Sequence, residues 1–485
     1  MTRSPHPPAT DWWPVTSSDT DTLVDHAATV RRSFLGDRAA LADIASDCVS
    51  AQGGGPASRT AAARLGDPAT VVACGQQPAY GAGPAFNLIK IAQAISLARR
   101  LEAAGQPAVP VYWSAGEDHD QGEADHCDLL DRRGRPSRLR LGFQRPGASL
   151  RHQPMGEAGQ AVLAALAEGD GPRLGADWLT GTVARLPDDL AGWCTHLLQE
   201  LWNDSGLVVL PAHRLRPLWR QRWSVIIADW PATALAERVD ALAQAGLPTG
   251  LGELAEPPVF ADWPVGRRPL TPTEASTLLA EDPDRLSPGA GLRPLLQQLA
   301  LPVVAYCAGP GEVAYHRQLA PLYDHFTVTP PALLRRWRLR WLPGWWRRAV
   351  SAWGLEPTDF DDPGHIPDSP TQADPALADS LQTLELAINR LPDASNIADD
   401  RRRLSTGSRR LQNELQRLRR NLTNGRRRRA GHRPLGELHA WLHPRGRPQE
   451  RVLSTIQLLY HLGPGLTRSL LNDGNQELVS ERPVD

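Results

Sequence analysis

Residues 69–115 limit the fold more than any other part of the chain. ATVVACG (69–75) has the β-branched, apolar character of a short buried strand ended by glycine. QQPAYGAGP (76–84) is a Gly/Pro loop, and AFNLIKIAQAISLARRLEAAG (85–105) is a long amphipathic helix closed by Gly105. PAVPVYWSA (107–115) reads as a second strand. Strand, glycine loop, helix and strand in that order make a βαβ unit, which requires a parallel sheet with helices on its faces. GLVVLPAH (206–213) and LPVVAYCAGPGEVAYHRQL (301–319) repeat the pattern. The expected fold class is therefore α/β, with an open parallel-sheet core over 67–350 interrupted by two connecting insertions, near 127–200 and 225–290. LVDHAATVRRSF and AALADIASDCVSA carry apolar residues at helical spacing and predict a helical region over 1–66.

Beyond residue 350 the character changes. LEPTDFDDPGHIPDSPTQADP predicts a polar linker over 351–375. Leu377, Leu381, Leu384, Ile388 and Leu391 then alternate in steps of four and three, and after Pro392 the run resumes with Leu404, Leu411, Leu415, Leu418 and Leu422. Two such segments joined by a short turn predict an antiparallel coiled-coil hairpin over 376–432. RVLSTIQLLYHLGPGLTRSLL predicts a helical segment within 433–485 that returns to the core. RRWRLRWLPGWWRR (335–348) alternates Arg and Trp, and its tryptophans are expected to pack while its arginines cover them.

Composition excludes several classes. With 41% hydrophobic and 22% charged residues the 485-residue chain is an ordinary globular protein rather than a disordered one. No apolar run approaches the roughly 20 residues of a membrane helix, and the opening MTRSPHPPATDWWPV lacks the apolar stretch of a secretory signal. The five cysteines are scattered and form no CxxC, which argues against a disulfide scaffold or zinc ribbon and for a reducing cytoplasm. A net charge of −1 gives no reason to expect a nucleic-acid or membrane partner. Only one of the 53 cationic side chains is a lysine, Lys90. Arginine replaces lysine at ordinary surface sites but not where a compact ammonium must fit, so the position of Lys90 is informative.

In an open parallel sheet, ligands bind at the carboxyl ends of the strands, beside helix N-termini. Three loops converge there: Gly75, Gln76 and Gln77 with Gly81 and Gly83; Glu117, Asp118, His119 and Asp120 with Glu123 and His126; and Gly309, Pro310, Gly311 and Glu312 with Tyr315. Glycines let backbone N–H groups approach an anion, and glutamine amides can read a carboxylate or phosphate. Four ionisable residues in a row after a buried strand are costly unless they meet a cation, an amine or a metal, or form a hydrogen-bonded turn. No HxH, HExxH or cysteine partner accompanies them, so a tightly bound metal is not expected. Cys74 has no partner histidine at a recognisable spacing and reads as packing. Arg293, in Leu292-Arg293-Pro294-Leu295, could clamp a carboxylate or phosphate or form a structural salt bridge.

Taken in order, GQQ, GxGP with Lys90, AGEDHDxxExxH, LRPL and YCAGPGEVAYHRQLAPLYDHF resemble the bacillithiol-biosynthesis cysteine-adding enzyme family (BshC) over about residues 70–345. PRGRPQERVLSTI resembles that family's C-terminal motif. The chain departs from the family pattern at Cys74, Phe86, Asn87 and Gln121, and at Gly289-Ala290-Gly291 before Leu292. The resemblance implies a Rossmann-like core with two connecting insertions, a coiled coil supporting a homodimer, and addition of cysteine to glucosaminyl-malate.

The expected activity is accordingly a cytoplasmic ligase that forms an amide from cysteine and glucosaminyl-malate, with nucleotide activation of the carboxylate by ATP and magnesium. Asp118, His119 and Asp120 are expected to bind the amine and relay its proton. Lys90 and the amides near Gly75, Gly83 and Gly309 are expected to hold anionic groups, helped by Gln76, Gln77, Arg293, Glu312 and Tyr315. A ligase with another acceptor, a nucleotidyl transferase and a non-catalytic ligand-binding scaffold using the coiled coil are the competing readings.

Overall fold

The structure is a computed structural model that describes residues 12–169, 171–367, 375–429, 433–471 and 476–480. Parts of the expected N-terminal region (1–11), linker (368–374), hairpin end (430–432) and C-terminal segment (472–475 and 481–485) lie outside the described residues. The chain forms two compact units, one of Met1–Leu129, Ser137–Arg340 and Glu450–Leu478, the other of Leu130–Pro136, Trp341–Gln449 and Val479–Asp485.

The strands of the first unit used below are β1 (Thr70–Gln76), β2 (Ala108–Ser114), β3 (Val208–Pro211), β4 (Val259–Trp263), β5 (Gly266–Pro269), β6 (Leu286–Pro288), β7 (Val303–Ala308) and β8 (Ala332–Arg335). Five of them make one parallel sheet in the order β8-β7-β1-β2-β3. β1 sits at the centre, where the chain departs to β2 and β3 on one side and later fills β7 and β8 on the other. The carboxyl ends of β1 and β7 therefore flank the point at which the strand order reverses, the place where such sheets open a crevice, and β2 lies next to β1 on its other side. β4, β5 and β6 form a separate antiparallel sheet from the second expected insertion.

Helices α1 (Thr20–Ser33), α2 (Arg38–Ala51) and α3 (Pro56–Ala63) precede the sheet. Asp19 and Asp37 cap the first two, accepting from Thr22 N at 3.1 Å and Ala40 N at 3.0 Å, as helix starts favour. α4 (Phe86–Ala103) joins β1 to β2 and is buried almost all round over 87–98. Its buried polar residues Asn87, Lys90 and Gln93 recur every third position and so share a face. They satisfy loop backbone: Asn87 donates to Ala82 O at 3.1 Å, Lys90 to Gly75 O at 2.8 Å, and Gln93 to Arg335 O at 3.1 Å. The helix that crosses the sheet thus also holds the strand ends in place.

Five further helices are used below: α5 (Arg216–Trp219), α6 (Arg293–Ala300), α7 (Pro310–Gln318) and, in the second unit, α8 (Pro375–Arg390) with its partner α9 (Ala398–Arg429). α8 and α9 run antiparallel, since Ser408 donates to Ile388 O at 2.8 Å while Arg419, further along, meets Glu385 at 2.7 Å. Ile388 and Leu415 are buried between them, but Leu384, Leu411 and Leu418 remain 45–47% exposed. In the same unit Trp346 and Trp353 are buried and donate to Leu438 O and Arg433 O, while Arg347 and Arg348 stay exposed. Among the described residues no helix is long and apolar enough to cross a membrane.

Gly75 pairs with Trp113 across β1 and β2, and a Cβ at that position would lie 2.6 Å from Trp113 O. Backbone cannot yield as a side chain can, so Gly75→Ala is expected to cost about 1–3 kcal/mol. Urea unfolding of the purified variant measures this, and an unchanged midpoint would mean the two strands separate freely.

Candidate functional site

The loop after β2 concentrates the charge. Asp118 N–H donates to Ala115 O at 3.1 Å, closing a turn, and the backbone of the first insertion pins it from outside: Leu150 N to Asp118 O and Arg151 N to Gly116 O, both 2.8 Å. Glu117 is 1% exposed, Asp118 and His119 are half-buried, and Asp120 is exposed. Buried carboxylates need partners. Arg216 Nε donates to Glu117 Oε1 at 2.6 Å, and Arg293 Nη2 to Asp118 Oδ2 at 3.1 Å.

These two arginines occupy equivalent places in one repeated tetrapeptide. Leu-Arg-Pro-Leu occurs at 215–218 and again at 292–295. Each copy opens a helix with proline in its first turn, α5 after β3 and α6 after β6. Each arginine thereby reaches one of two consecutive acids. Their surroundings differ. Arg216 is saturated, bound to Glu117, to Asp262 Oδ2 at 2.8 Å and to Asp284 O. Arg293 keeps 19% of its side chain accessible, with Asp118 as its acidic partner.

The insertion hairpin contributes more charge to the same place. Asp262 on β4 also accepts from Arg151 Nε at 3.0 Å. Arg267 on β5 reaches His119 Nδ1 with Nη1 at 2.8 Å and donates to Pro288 O at 2.8 Å. Three guanidinium groups, of Arg151, Arg216 and Arg293, thus pair with the carboxylates of Glu117, Asp118 and Asp262, while the fourth, of Arg267, meets the His119 imidazole. Burial alone would raise the Asp118 carboxyl, but the Arg293 guanidinium, with Arg267 and the His119 amide, outweighs it and holds the group below the ordinary carboxylate value. Burial and then Arg267 depress the His119 imidazole. Burial, reinforced by Arg293, brings Arg267 down to about 10.

A second charged pair closes the floor. Lys90 Nζ meets Gly75 O at 2.8 Å, Gln76 Oε1 at 3.2 Å and Glu312 Oε2 at 2.6 Å. Glu312 in turn accepts from Tyr306 OH at 2.9 Å and Gly309 N at 2.6 Å. The single lysine of the chain is a compact ammonium with three acceptors, tying the end of β1 to the start of α7.

The expected site residues therefore separate. Asp118, His119 and Arg293 come together. Lys90, Gln76, Glu312 and Gly309 form a neighbouring internal cluster, whose ammonium and amide are already occupied by protein acceptors. Asp120 is exposed and caps the helical turn Gln121–Ala124, accepting from Glu123 N at 3.2 Å. Gln77 donates to Glu123 at 2.9 Å. Gly83 has φ of +70° and its carbonyl accepts from Thr455 N at 2.8 Å, so its conformation serves a turn. Tyr315 stacks on His316, with ring centroids 5.0 Å apart. Burial drives the Cys74 thiol up to about 12, in keeping with an inert packing role. Arg151, Arg216, Asp262 and Arg267 are absent from the sequence-derived set. For Arg216 the repeated Leu-Arg-Pro-Leu was the available signal.

A parallel sheet with an arginine-clamped acidic loop at the end of the strand beside its switch point, together with a helical hairpin, defines a Rossmann-like α/β protein carrying a coiled coil. Residues 16–248 and 267–337 match the family model described as "Bacillithiol biosynthesis BshC, N-terminal Rossmann-like domain", and 394–478 match its C-terminal coiled-coil domain. The chain belongs to the BshC family. It is 31% identical over 360 residues to a protein of Solibacter usitatus named "Putative cysteine ligase BshC", covering 68% of each chain. Relatives of the same name in Salinibacter ruber and Natranaerobius thermophilus are 29% and 28% identical, over 69% and 56% of this chain and 66% and 55% of theirs.

Two outcomes test the electrostatics. Lys90→Met leaves Glu312 without its cation and is expected to cost about 3–5 kcal/mol in urea unfolding, with Lys90→Met/Glu312→Gln costing less than the sum of the single changes. An additive double variant would show the pair to be uncoupled. The second concerns pH. Because the folded Asp118 value is depressed, its stabilisation is present above the unfolded carboxylate value and is lost as pH falls through the folded one. Arg293→Met should therefore destabilise the protein more at about pH 7 than at about pH 3, and equal losses at both would contradict the pairing.

Proposed function

We propose that the chain is a ligase that joins the carboxyl group of cysteine to the amine of glucosaminyl-malate. The observation that carries this reading is the Asp118–Arg293 pair at 3.1 Å, half-buried at the strand ends. A substrate that bears both an amine and carboxylates matches that arrangement: Asp118 accepts from the amine while Arg293, which keeps accessible surface, faces the anionic groups. The new C–N bond forms as the amine nitrogen attacks the activated cysteine carbonyl carbon, the leaving group departs with the C–O bonding pair, and the amine passes a proton to the Asp118 carboxylate that accepts its hydrogen bond. Holding amine and acyl carbon at contact distance supplies much of the rate. The relatives' printed name and the family match support the same reading.

Activation of the carboxylate by ATP with magnesium belongs to this proposal as the source of the leaving group. The glycines expected to cradle phosphate do not fit that task, because Gly309 N–H is bound to Glu312 and Gly75 lies in the β1–β2 pairing. No step is therefore routed through them. Lys90 acts as a positioning residue that fixes the floor of the site. The half-exposed leucines of the hairpin support a homodimer, and the biosynthetic reaction supports a cytoplasmic location.

Mass spectrometry of a reaction holding the protein, glucosaminyl-malate, cysteine, ATP and magnesium tests the assignment. A cysteine adduct is expected with the wild-type protein. Asp118→Ala, folded by circular dichroism, is expected to reduce it by about 100-fold or more. An adduct formed equally by both proteins would remove Asp118 from the reaction. No adduct from the folded wild-type protein would overturn the ligase.

A further inference from the structure

The β4–β5 hairpin belongs to an insertion, and residues 249–266, which include Asp262, fall outside the stretches that match the family model. Asp262 and Arg267 are directly opposite each other in the hairpin, so their side chains emerge on one face. Asp262 is fully buried and holds Arg216 at 2.8 Å and Arg151 at 3.0 Å, anchoring the hairpin to α5 and to the first insertion. Arg267 N–H donates to Gly147 O at 2.7 Å, a second anchor. The Arg267 guanidinium is then fixed on every side. Its carbon lies 3.9 Å from the centre of the Phe260 ring, Nη2 donates to Pro288 O, Nε faces Ser287 Oγ at 3.3 Å, and Nη1 meets His119 Nδ1.

A guanidinium donates hydrogen bonds and accepts none. The 2.8 Å contact therefore makes His119 Nδ1 the acceptor, which places the ring proton of the neutral imidazole on Nε2. We propose that the hairpin is a positioning element that holds His119 in its Nε2–H tautomer, with Arg267 setting the tautomer and Asp262 setting Arg267. Under the ligase reading, on which only this consequence rests, His119 donates from Nε2 to the oxygen that gains charge as the acyl carbon is attacked, and does not act as the base. The groups facing the imidazole are Asp118 and Asp120, which favour its protonation, and Arg267, which together with burial opposes it and prevails. Phe260 lies beside the ring with centroids 5.7 Å apart.

Nitrogen-15 NMR of the full chain labelled at histidine tests the proposal without any substrate. The His119 signals are identified by their loss in His119→Gln. The wild-type protein is expected to show Nδ1 unprotonated and Nε2 protonated, by about tenfold or more, and to titrate below an ordinary histidine. Arg267→Met is expected to give mixed tautomers and a higher titration midpoint. Arg267→Lys, which can still donate to Nδ1, is expected to keep Nε2–H. Asp262→Asn, with its unfolding temperature recorded, is expected to shift the tautomer ratio in the direction of Arg267→Met and serves if that variant does not fold. A wild-type mixture of tautomers, or signals unmoved in both Arg267→Met and Asp262→Asn, would overturn the proposal. The expected signals in a protein that forms no cysteine adduct would leave the hairpin's role standing and refute the ligase alone.

Discussion

Two consecutive acids placed at the end of a buried strand decide much of this structure. Glu117 and Asp118 cannot lie where β2 puts them without counter-ions, because an unpaired buried carboxylate costs several kcal/mol. The chain meets the demand twice with the same device. A Leu-Arg-Pro-Leu segment opens a helix, and its arginine reaches back to the loop. Proline at the helix start fixes the backbone in the first turn, so each arginine leaves from a rigid base. The segments come from distant parts of the sequence, one after β3 and one after β6. Satisfying two charges therefore joins the strand end to both.

The two pairs are not equivalent, and the difference separates structure from chemistry. Arg216 has its donors committed to Glu117, Asp262 and Asp284 O, and it serves as a hub. Arg293 holds a partly accessible Asp118 and keeps accessible surface of its own. Beside it, Lys90 and Glu312 make a pair that fixes the end of β1 and the start of α7, the ammonium buried and the carboxylate partly accessible. Buried ion pairs of this kind contribute less to net stability than to uniqueness of arrangement, since their desolvation offsets much of the attraction. Their value here is that they fix where Asp118 and Arg293 stand.

The fold was largely legible in the residues. The glycine-ended apolar run at 69–75, the helix closed by Gly105 and the strand at 107–115 fall on β1, α4 and β2, because hydrophobic periodicity and turn chemistry agree there. The leucine steps at 377–391 and 404–422 likewise fall within α8 and α9 or at their ends. The site was legible only in part. Asp118, expected from its place after a strand, and Arg293, expected from its Leu-Arg-Pro-Leu segment, come together at 3.1 Å. Asp120, expected to act on the amine, caps a helical turn, as an acid three residues before a helical amide readily does. Asp262 and Arg267 were missed because cross-strand pairing and long-range ion pairs leave no periodic trace, and an insertion gives no reason to look for a charged pair that supports the acidic loop. Lys90 drew notice by being the single lysine, and the structure shows what the compact ammonium does, while its assumed reach toward a ligand is replaced by three protein acceptors.

The central claim is that Asp118 and Arg293 together receive the substrate bearing amine and carboxylates. Calorimetric titration of glucosaminyl-malate into the wild-type protein and into folded Arg293→Met tests it most directly. The account predicts saturable binding to the wild-type protein and at least about tenfold weaker binding, or about 1.4 kcal/mol, in the variant. Equal affinity in the two proteins would contradict it.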